Sequence, residues 1–388
     1  MTLCLGNIAT GEDFFDREAE LDDLWSALQK NHVALTGPRR LGKSSILKRM
    51  TEQATDHGLL AGYVDLQGID RVARLIDRLD RAFPEASIQR HLADWRDQAT
   101  TWVQRHIHKV GVAGVSLELN PNAATPWQSA ANRVQHRLAP QPLLILIDEF
   151  TVFLDRLITH DLHEAALTLG WLRSWRQQSG LACRFVFTGS IGLAELLERH
   201  RLTTLMNDCY DYVLQPFTRR SALAMAATFS SREGWQATTA TLDHLCDRTG
   251  WLSPYYLNLL LDEAMKAGLR RLDHKGVLNS DDIELGYGEL AGKRSCFVHW
   301  YQRLLDLPQP RRDFVLAVLR YAANSDAGVT RPQLGARLGR LEADPDRRET
   351  RLEETLIYLE EQGYLGQNGG RYAFLSFLLR DYWKANHG

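Results

Sequence analysis

The sequence has little cysteine and no pattern for pairing it. Cys4, Cys183, Cys209, Cys246 and Cys296 stand far apart, and no CxxC occurs. An odd count at such spacings argues against a disulfide framework or a zinc ribbon and fits free thiols in a reducing compartment. Charge of either sign is not in excess. Lysine plus arginine (46) nearly cancels aspartate plus glutamate (48), leaving a formal charge of −2, so nothing global advertises nucleic acid or an anionic membrane. Long apolar runs are missing too. The longest clean one, Leu143–Ile147, is far shorter than the roughly 20 residues that span a bilayer. The opening "MTLCLGNIATGEDFF" has neither the basic segment nor the apolar stretch of a signal peptide. No internal repeat or low-complexity tract is found. The expectation is a cytoplasmic protein with no membrane partner. At about 100–200 residues per domain, its 388 residues predict two or three domains.

What is present starts at "VALTGPRRLGKSSILKRM". Gly37-Pro38-Arg39-Arg40-Leu41-Gly42-Lys43-Ser44 fits GxxxxGK[ST], the phosphate-binding loop. Such a loop curls so that successive backbone N–H groups point at phosphate oxygens, and Gly37 and Gly42 permit the backbone angles and the close approach. Lys43 can reach the β- and γ-phosphates, and Ser44 offers its hydroxyl to Mg²⁺. "HVALT" before the loop reads as a short buried strand. The segment after it reads as a helix whose positive N-terminal end faces the same anion. A Gly-rich turn with a stray lysine is the bland alternative, and this strand–loop–helix context argues against it.

A second element strengthens the assignment. "LLILIDEF", Leu143–Phe150, is an apolar run ending in two carboxylates. A strand apolar on both faces belongs in the middle of a parallel sheet, and such sheets bind ligands at their carboxyl ends. Asp148 is then placed to hold Mg²⁺ through water, as a Walker B aspartate does. Glu149 is placed to polarise a water for attack on the γ-phosphorus. The plain alternative is that the two acids simply end a strand or cap a helix. In "CRFVFTGSIGL", residues 184–188 read as another buried strand. Thr188 and Ser190 at its carboxyl end could touch the γ-phosphate or the attacking water, or Ser190 could merely cap the following helix.

Strands are expected at 32–36, 61–66, 143–147, 184–188 and 210–214, with helices between them, and Gly111–Leu119 reads as an extra strand. Short linkers at Pro121–Pro126 and Pro140–Pro142 bracket the helical "WQSAANRVQHRL". Leu21, Leu24, Trp25 and Leu28 share one face of a helix near the N-terminus. The fold class is thus α/β, a P-loop NTPase parallel-sheet core over residues 1–217. A helical lid (218–290), a linker (291–310) and a C-terminal winged-helix domain (311–388) follow. The last is read from helix, helix, helix, then a hairpin "GGRYAFL" and a final helix.

These motifs together resemble a known group. "FFDREAELDDL" is similar to the F-x-x-R-E-x-E-L motif of the STAND class of AAA+-type P-loop ATPases, most of all the archaeal-type branch of this prokaryotic group. The pattern continues through "GPRRLGKSS", "LLILIDEF", "FVFTGS", "LQPF" and "GWLSPYYL", and "GGRYAFLSFLLRDYW" resembles the winged-helix end of the same group. The resemblance runs along nearly the whole chain. It implies Phe15 and Arg17 near the adenine, with Gly37, Pro38, Arg39, Arg40, Leu41, Gly42, Lys43, Ser44 and Ser45 around the phosphates and Mg²⁺. It implies Asp148 and Glu149 on the metal and water, and Pro254 against the base. The spacing here is Gly250-Trp-Leu-Ser-Pro254 where that group has Gly-x-Pro. The repeat array that many such proteins use as a sensor is lacking, so sensing would come from another chain.

An arginine finger could complete the site. Candidates are Arg199 and Arg201, Arg219 and Arg220, and Arg173 and Arg176. Trp171 and Trp175, four residues apart, read as core. His160, Asp161 and His163 have a spacing that could hold a metal, but such a set recurs by chance.

Two functions compete. One is an ATP-binding and ATP-hydrolysing switch that controls assembly or a partner effector protein encoded nearby, slow and regulated. The resemblance places it in antiviral defence or regulation, and a homo-oligomer fits this reading. The other is an ATP-dependent DNA-handling protein using the winged helix on DNA. Charge disfavours the second: in residues 344–361, seven acids (Asp344, Asp346, Glu349, Glu353, Glu354, Glu360, Glu361) outnumber Arg347, Arg348 and Arg351. The basic "RPQLGARLGR" beside them leaves DNA contact open. An inactive nucleotide-binding scaffold is the third alternative, opposed by intact Lys43, Asp148 and Glu149.

Overall fold

The computed structural model describes residues 6–98, 127–178, 181–189, 192–271 and 275–388, with the side chains of 92–98 outside the description. Cys4, the strand expected at Gly111–Leu119, the linker at Pro121–Pro126 and Ser190 lie outside the described residues. The chain divides into two units. One comprises Arg17–Gly37 and Lys43–Leu214; the other comprises Met1–Asp16, Pro38–Gly42 and Gln215–Gly388.

The first unit is built on a parallel sheet of five strands: β1 (His32–Thr36), β2 (Leu60–Asp65), β3 (Leu143–Asp148), β4 (Arg184–Thr188) and β5 (Cys209–Val213). Their order is β2-β3-β4-β1-β5, and every pair is parallel. All five expected strands are present within one residue at each end. β3 is buried along its whole length, as an all-apolar strand with helices on both sheet faces should be. Register sets the chemistry: Asp65 lies opposite Asp148, and Leu35 opposite Thr188. Because the strands are parallel, Thr36, Asp65, Asp148 and Thr188 all reach the same edge.

The helix Glu18–Leu28 buries Leu21, Leu24, Trp25 and Leu28, the face read from the sequence. Phe150, Phe153, Trp175, Phe185 and Phe187 fill the core beside β3 and β4. Trp171 and Trp175 lie within it, their ring centroids 5.8 Å apart. The helix Lys43–Gln53 packs on β2 and β3.

The second unit is helical. The helices Arg219–Arg232, Thr239–Thr249, Pro254–Gly268 and Ser280–Gly292 come first, with a short parallel pair β6 (Gln236–Ala237) and β7 (Val277–Leu278). Side chains of Thr218, Thr238 and Asn279 cap three of these helices at their N-termini, satisfying N–H groups that the first turn leaves open. The stretch 291–310, expected as a linker, is mostly the helix Arg294–Leu305. Phe297, Trp300 and Leu304 line its buried side. Trp300 meets Tyr364 edge-on at 4.9 Å, and the Tyr364 hydroxyl donates to the Trp300 carbonyl at 2.6 Å. The stretch expected as a linker is thus packed on apolar side chains over much of its length.

The C-terminal part runs helix (Arg311–Ala323), β8 (Val329–Thr330), helix (Arg331–Arg337), helix (Pro345–Glu361), β9 (Leu365–Asn368), β10 (Arg371–Phe374) and helix (Phe377–His387). The three strands form a small antiparallel sheet in the order β8-β10-β9.

Candidate active site

The loop between β1 and the helix Lys43–Gln53 starts from a glycine that nothing else can replace. Gly37 has φ of +131°, and a Cβ there would stand 2.8 Å from the Leu214 carbonyl oxygen. Both conditions demand glycine. Lys43 opens the helix, and its ammonium donates to the Gly37 carbonyl at 2.6 Å, folding back over the start of the loop. Ser44 follows on the first turn, half-buried, and Ser45 is buried.

The loop apex, Pro38–Gly42, belongs to the helical unit. Leu41 is fully buried. Arg40 takes a left-handed conformation (φ +70°), and its guanidinium lies 4.3 Å over the Tyr255 ring and 3.0 Å from His299 Nε2. Burial, with Arg40 next, pushes the His299 pKa down to about 4, so this imidazole is neutral near pH 7 and accepts from Arg40. The Ser253 hydroxyl donates to the Arg40 carbonyl, and Arg39 Nε donates to Gln362 Oε1 at 3.3 Å. The side chains of Arg39 and Arg40, expected around the phosphates, therefore have protein partners in the helical unit. Pro254 sits between Ser253 and Tyr255, both of which touch Arg40, at the first position of its helix.

At the end of β3, Asp148 is 5% exposed. The Thr188 hydroxyl donates to its Oδ1, and so does the Glu149 N–H at 3.0 Å. The Tyr63 hydroxyl donates to Oδ2 at 2.7 Å. Glu149 sits in the left-handed region (φ 56°, ψ 29°), costing an L-residue about 1–2 kcal/mol. Strain of this kind gathers at functional sites. Its amide also lies 3.3 Å from Thr188 Oγ1. Gly189 then passes so close to the helix Phe150–His160 that a Cβ would meet Thr151 Oγ1 at 1.7 Å. The Thr188 hydroxyl, expected to touch the γ-phosphate or the attacking water, thus has the Asp148 carboxylate as a partner.

Sequence reading missed Tyr63. It stands on β2 within "AGYVDL", where an aromatic in a half-buried strand carries no signal of its own. Burial, with the Asp148 charge next, holds its phenol far above the ordinary range, so it remains a proton donor. Lys48, five residues after Lys43, places its ammonium 3.6 Å from the centre of that ring.

Other expected residues have partners of their own. Arg17 is buried and ion-paired to Glu20. Phe15 packs edge-on against Phe229 at 5.9 Å in the helical unit. Arg199 pairs with Glu195 one helical turn away, and Arg173 donates to the Thr204 carbonyl. Arg219 is forked onto Asp243 and Asp247. Arg176 is a correction. Its side chain is 0% exposed and holds Asp208 with two bonds of 2.8 Å, at the opposite end of the sheet. It cannot serve as a finger to a neighbouring subunit. Asp161 caps the helix Leu162–Arg176 by accepting from the His163 and Glu164 amides. Among the described residues no group of three His, Cys, Asp or Glu is placed to hold a metal. No described helix is long and apolar enough to cross a membrane.

No protein-family model matches the chain, and a search of curated proteins finds no match. Solved structures do resemble it. The Walker-type ATPase PABY2304 of Pyrococcus abyssi superposes with a TM-score of 0.63 at 15% identity, over 98% of this chain and 99% of that one. The ORC2 protein of Aeropyrum pernix, solved as ADPNP–ADP complexes, superposes with a TM-score of 0.54 at 14% identity, over 96% and 95%. At these identities the likeness is one of fold. The chain has the P-loop NTPase fold, an α/β parallel-sheet core with a helical C-terminal region.

Proposed function

We propose that this protein binds ATP with Mg²⁺ and hydrolyses it to ADP and phosphate. The observation that carries the reading is one juxtaposition at the sheet edge. The Gly37–Ser44 loop leaves β1 at the end where β3 delivers a buried, donor-held Asp148. The residues suit a divalent cation. Asp148 supplies an oxygen ligand, Ser44 a hydroxyl, and the donors around Asp148 keep its carboxylate oriented. When bound, Mg²⁺ supplies neutralisation of charge on the β- and γ-phosphates.

The chain's own residues do the rest. The loop's backbone N–H groups and the N-terminus of the helix Lys43–Gln53 grip phosphate oxygens. For Lys43 to reach the γ-phosphate it leaves the Gly37 carbonyl, exchanging a neutral acceptor for an anion. Glu149 orients the attacking water and takes its proton. Its left-handed backbone turns the residue out of the strand line. Ser190, and Thr188 through Asp148, report on the γ-phosphate. Arg199, at the end of the helix Leu193–Arg199, could serve a neighbouring subunit, in a homo-oligomer, as a finger. Phe15, Arg17 and Pro254 would border the base.

The output is a switch in the STAND manner, with the C-terminal part as a winged helix that engages a partner protein. A nucleotide moves such an equilibrium only by binding the two states unequally. The acidic helix Pro345–Glu361 favours a protein over DNA. Arg331, on the basic neighbouring helix, is drawn into ion pairs with Glu349 and Glu353, and Arg351 pairs with Glu342. Those charges are not free for phosphates. A DNA-handling role predicts binding that weakens steeply with salt, and a gel-shift series in salt discriminates.

The direct test is calorimetry of Mg²⁺–ATP binding to Lys43→Ala. Binding should fall at least about a hundredfold, as for loss of a charged hydrogen bond with its partner left buried. Unchanged affinity would refute the loop's assignment.

A further inference from the structure

We propose that Tyr63 is a positioning residue for the divalent cation at Asp148, an inference that rests on the nucleotide reading above. A carboxylate has about four lone-pair directions. Three of those on Asp148 are used among the described residues. Oδ1 receives the Thr188 hydroxyl and the Glu149 amide, which exhausts it. Oδ2 receives only the Tyr63 hydroxyl. One direction, on Oδ2, remains for a cation or its water, and the phenol determines which one that is.

The geometry that puts Tyr63 there comes from the sheet. Tyr63 lies opposite Leu146 in the β2–β3 register, two residues before Asp148. Residues two apart on a strand share a face. The long phenol therefore reaches diagonally to the end of the neighbouring strand, where a shorter side chain would fall short. Lys48 over the ring holds it from the loop's own helix. A structural tie would need only some hydrogen bond to Asp148, and Thr188 already supplies that. The second donor constrains the other oxygen, the one left open to a cation.

Tyr63→Phe removes the hydroxyl alone and keeps the ring under Lys48. The probe is a fluorescent N-methylanthraniloyl ATP, titrated against wild type and variant in EDTA and then at rising Mg²⁺. The Mg²⁺ concentration for half-maximal enhancement should rise about tenfold, the usual cost of losing a group that orients a metal ligand. Affinity in EDTA should stay at the wild-type value, and the thermal midpoint should fall only by the few degrees that one lost hydrogen bond costs. Superimposable Mg²⁺ titrations would overturn the proposal, as would an equal loss of affinity in EDTA, which would make Tyr63 merely structural. Wild-type protein that binds the probe without any Mg²⁺ dependence overturns the inference while leaving nucleotide binding standing. Wild-type protein that does not bind it at all overturns both.

Discussion

At the carboxyl end of the parallel sheet, Asp148 is held by a phenol, a hydroxyl and a backbone amide, all uncharged. At the other end, Arg176 is held by Asp208 in a forked ion pair, with Leu205 accepting from the same guanidinium. His32, at the start of β1, joins that lower cluster. Its Nε2 meets the Arg176 carbonyl and its Nδ1 accepts from the Phe185 amide. A charge closed against an opposite charge has its interaction satisfied within the chain and serves folding. A charge oriented by neutral donors has its direction set and its charge uncompensated by them, which is what a cation ligand needs. Two buried polar clusters in one sheet thus differ in purpose by the kind of partner each is given.

The comparison breaks first at Arg176. Removing one partner of a buried ion pair typically costs about 3–5 kcal/mol. Arg176→Ala should lose that much in urea denaturation while ATP affinity survives at temperatures where the variant is folded. A loss under about 1 kcal/mol would place the pair among surface bridges. The second test is pH. Burial lowers the His32 pKa from 6.5 to about 4, so the folded chain holds this imidazole neutral. Between these values the unfolded chain binds more protons, and stability rises with pH. It should therefore be fully present above pH 6.5 and fall towards pH 4, by ~3 kcal/mol at most from this group. His32→Gln should flatten that slope, and an unaltered slope assigns it to other groups.

At the upper end the expected effects, on the ATP reading proposed above, are catalytic. Glu149→Gln should bind ATP with wild-type affinity yet turn over about a hundredfold more slowly, near the lower bound for losing a general base. Full phosphate release would remove Glu149 from that role. The smallest effect is on assembly. If Arg199 acts across subunits, specific activity should rise a few-fold with protein concentration, and Arg199→Ala should abolish the rise. A flat dependence in wild type marks a monomeric switch.

Much of this was legible beforehand. "HVALT", "LLILIDEF" and "RFVFT" announce buried strands because every residue is apolar or β-favouring, and the loop announces itself by contiguous spacing. The helix Arg294–Leu305 is readable from Phe297, Trp300 and Leu304 at i, i+3 and i+7, but Pro308 and Pro310 just beyond it signal a break, which favours a linker. Arg176 looked like a surface arginine because its partner, Asp208, lies 32 residues on. Tyr63 was invisible for the same reason, 85 residues from Asp148.

By itself the sequence determined the five parallel strands, the loop after β1 and the acid pair at 148 and 149. Each is a run of neighbours whose backbone angles and burial follow from local patterning. Only the tertiary structure decided which polar side chains meet. Strand order and register placed Tyr63 and Thr188 on Asp148, and the packing of the helix Leu162–Arg176 closed Asp208 onto Arg176. Hydrogen bonds between strands depend on which strands are adjacent, and adjacency is settled when the whole sheet packs.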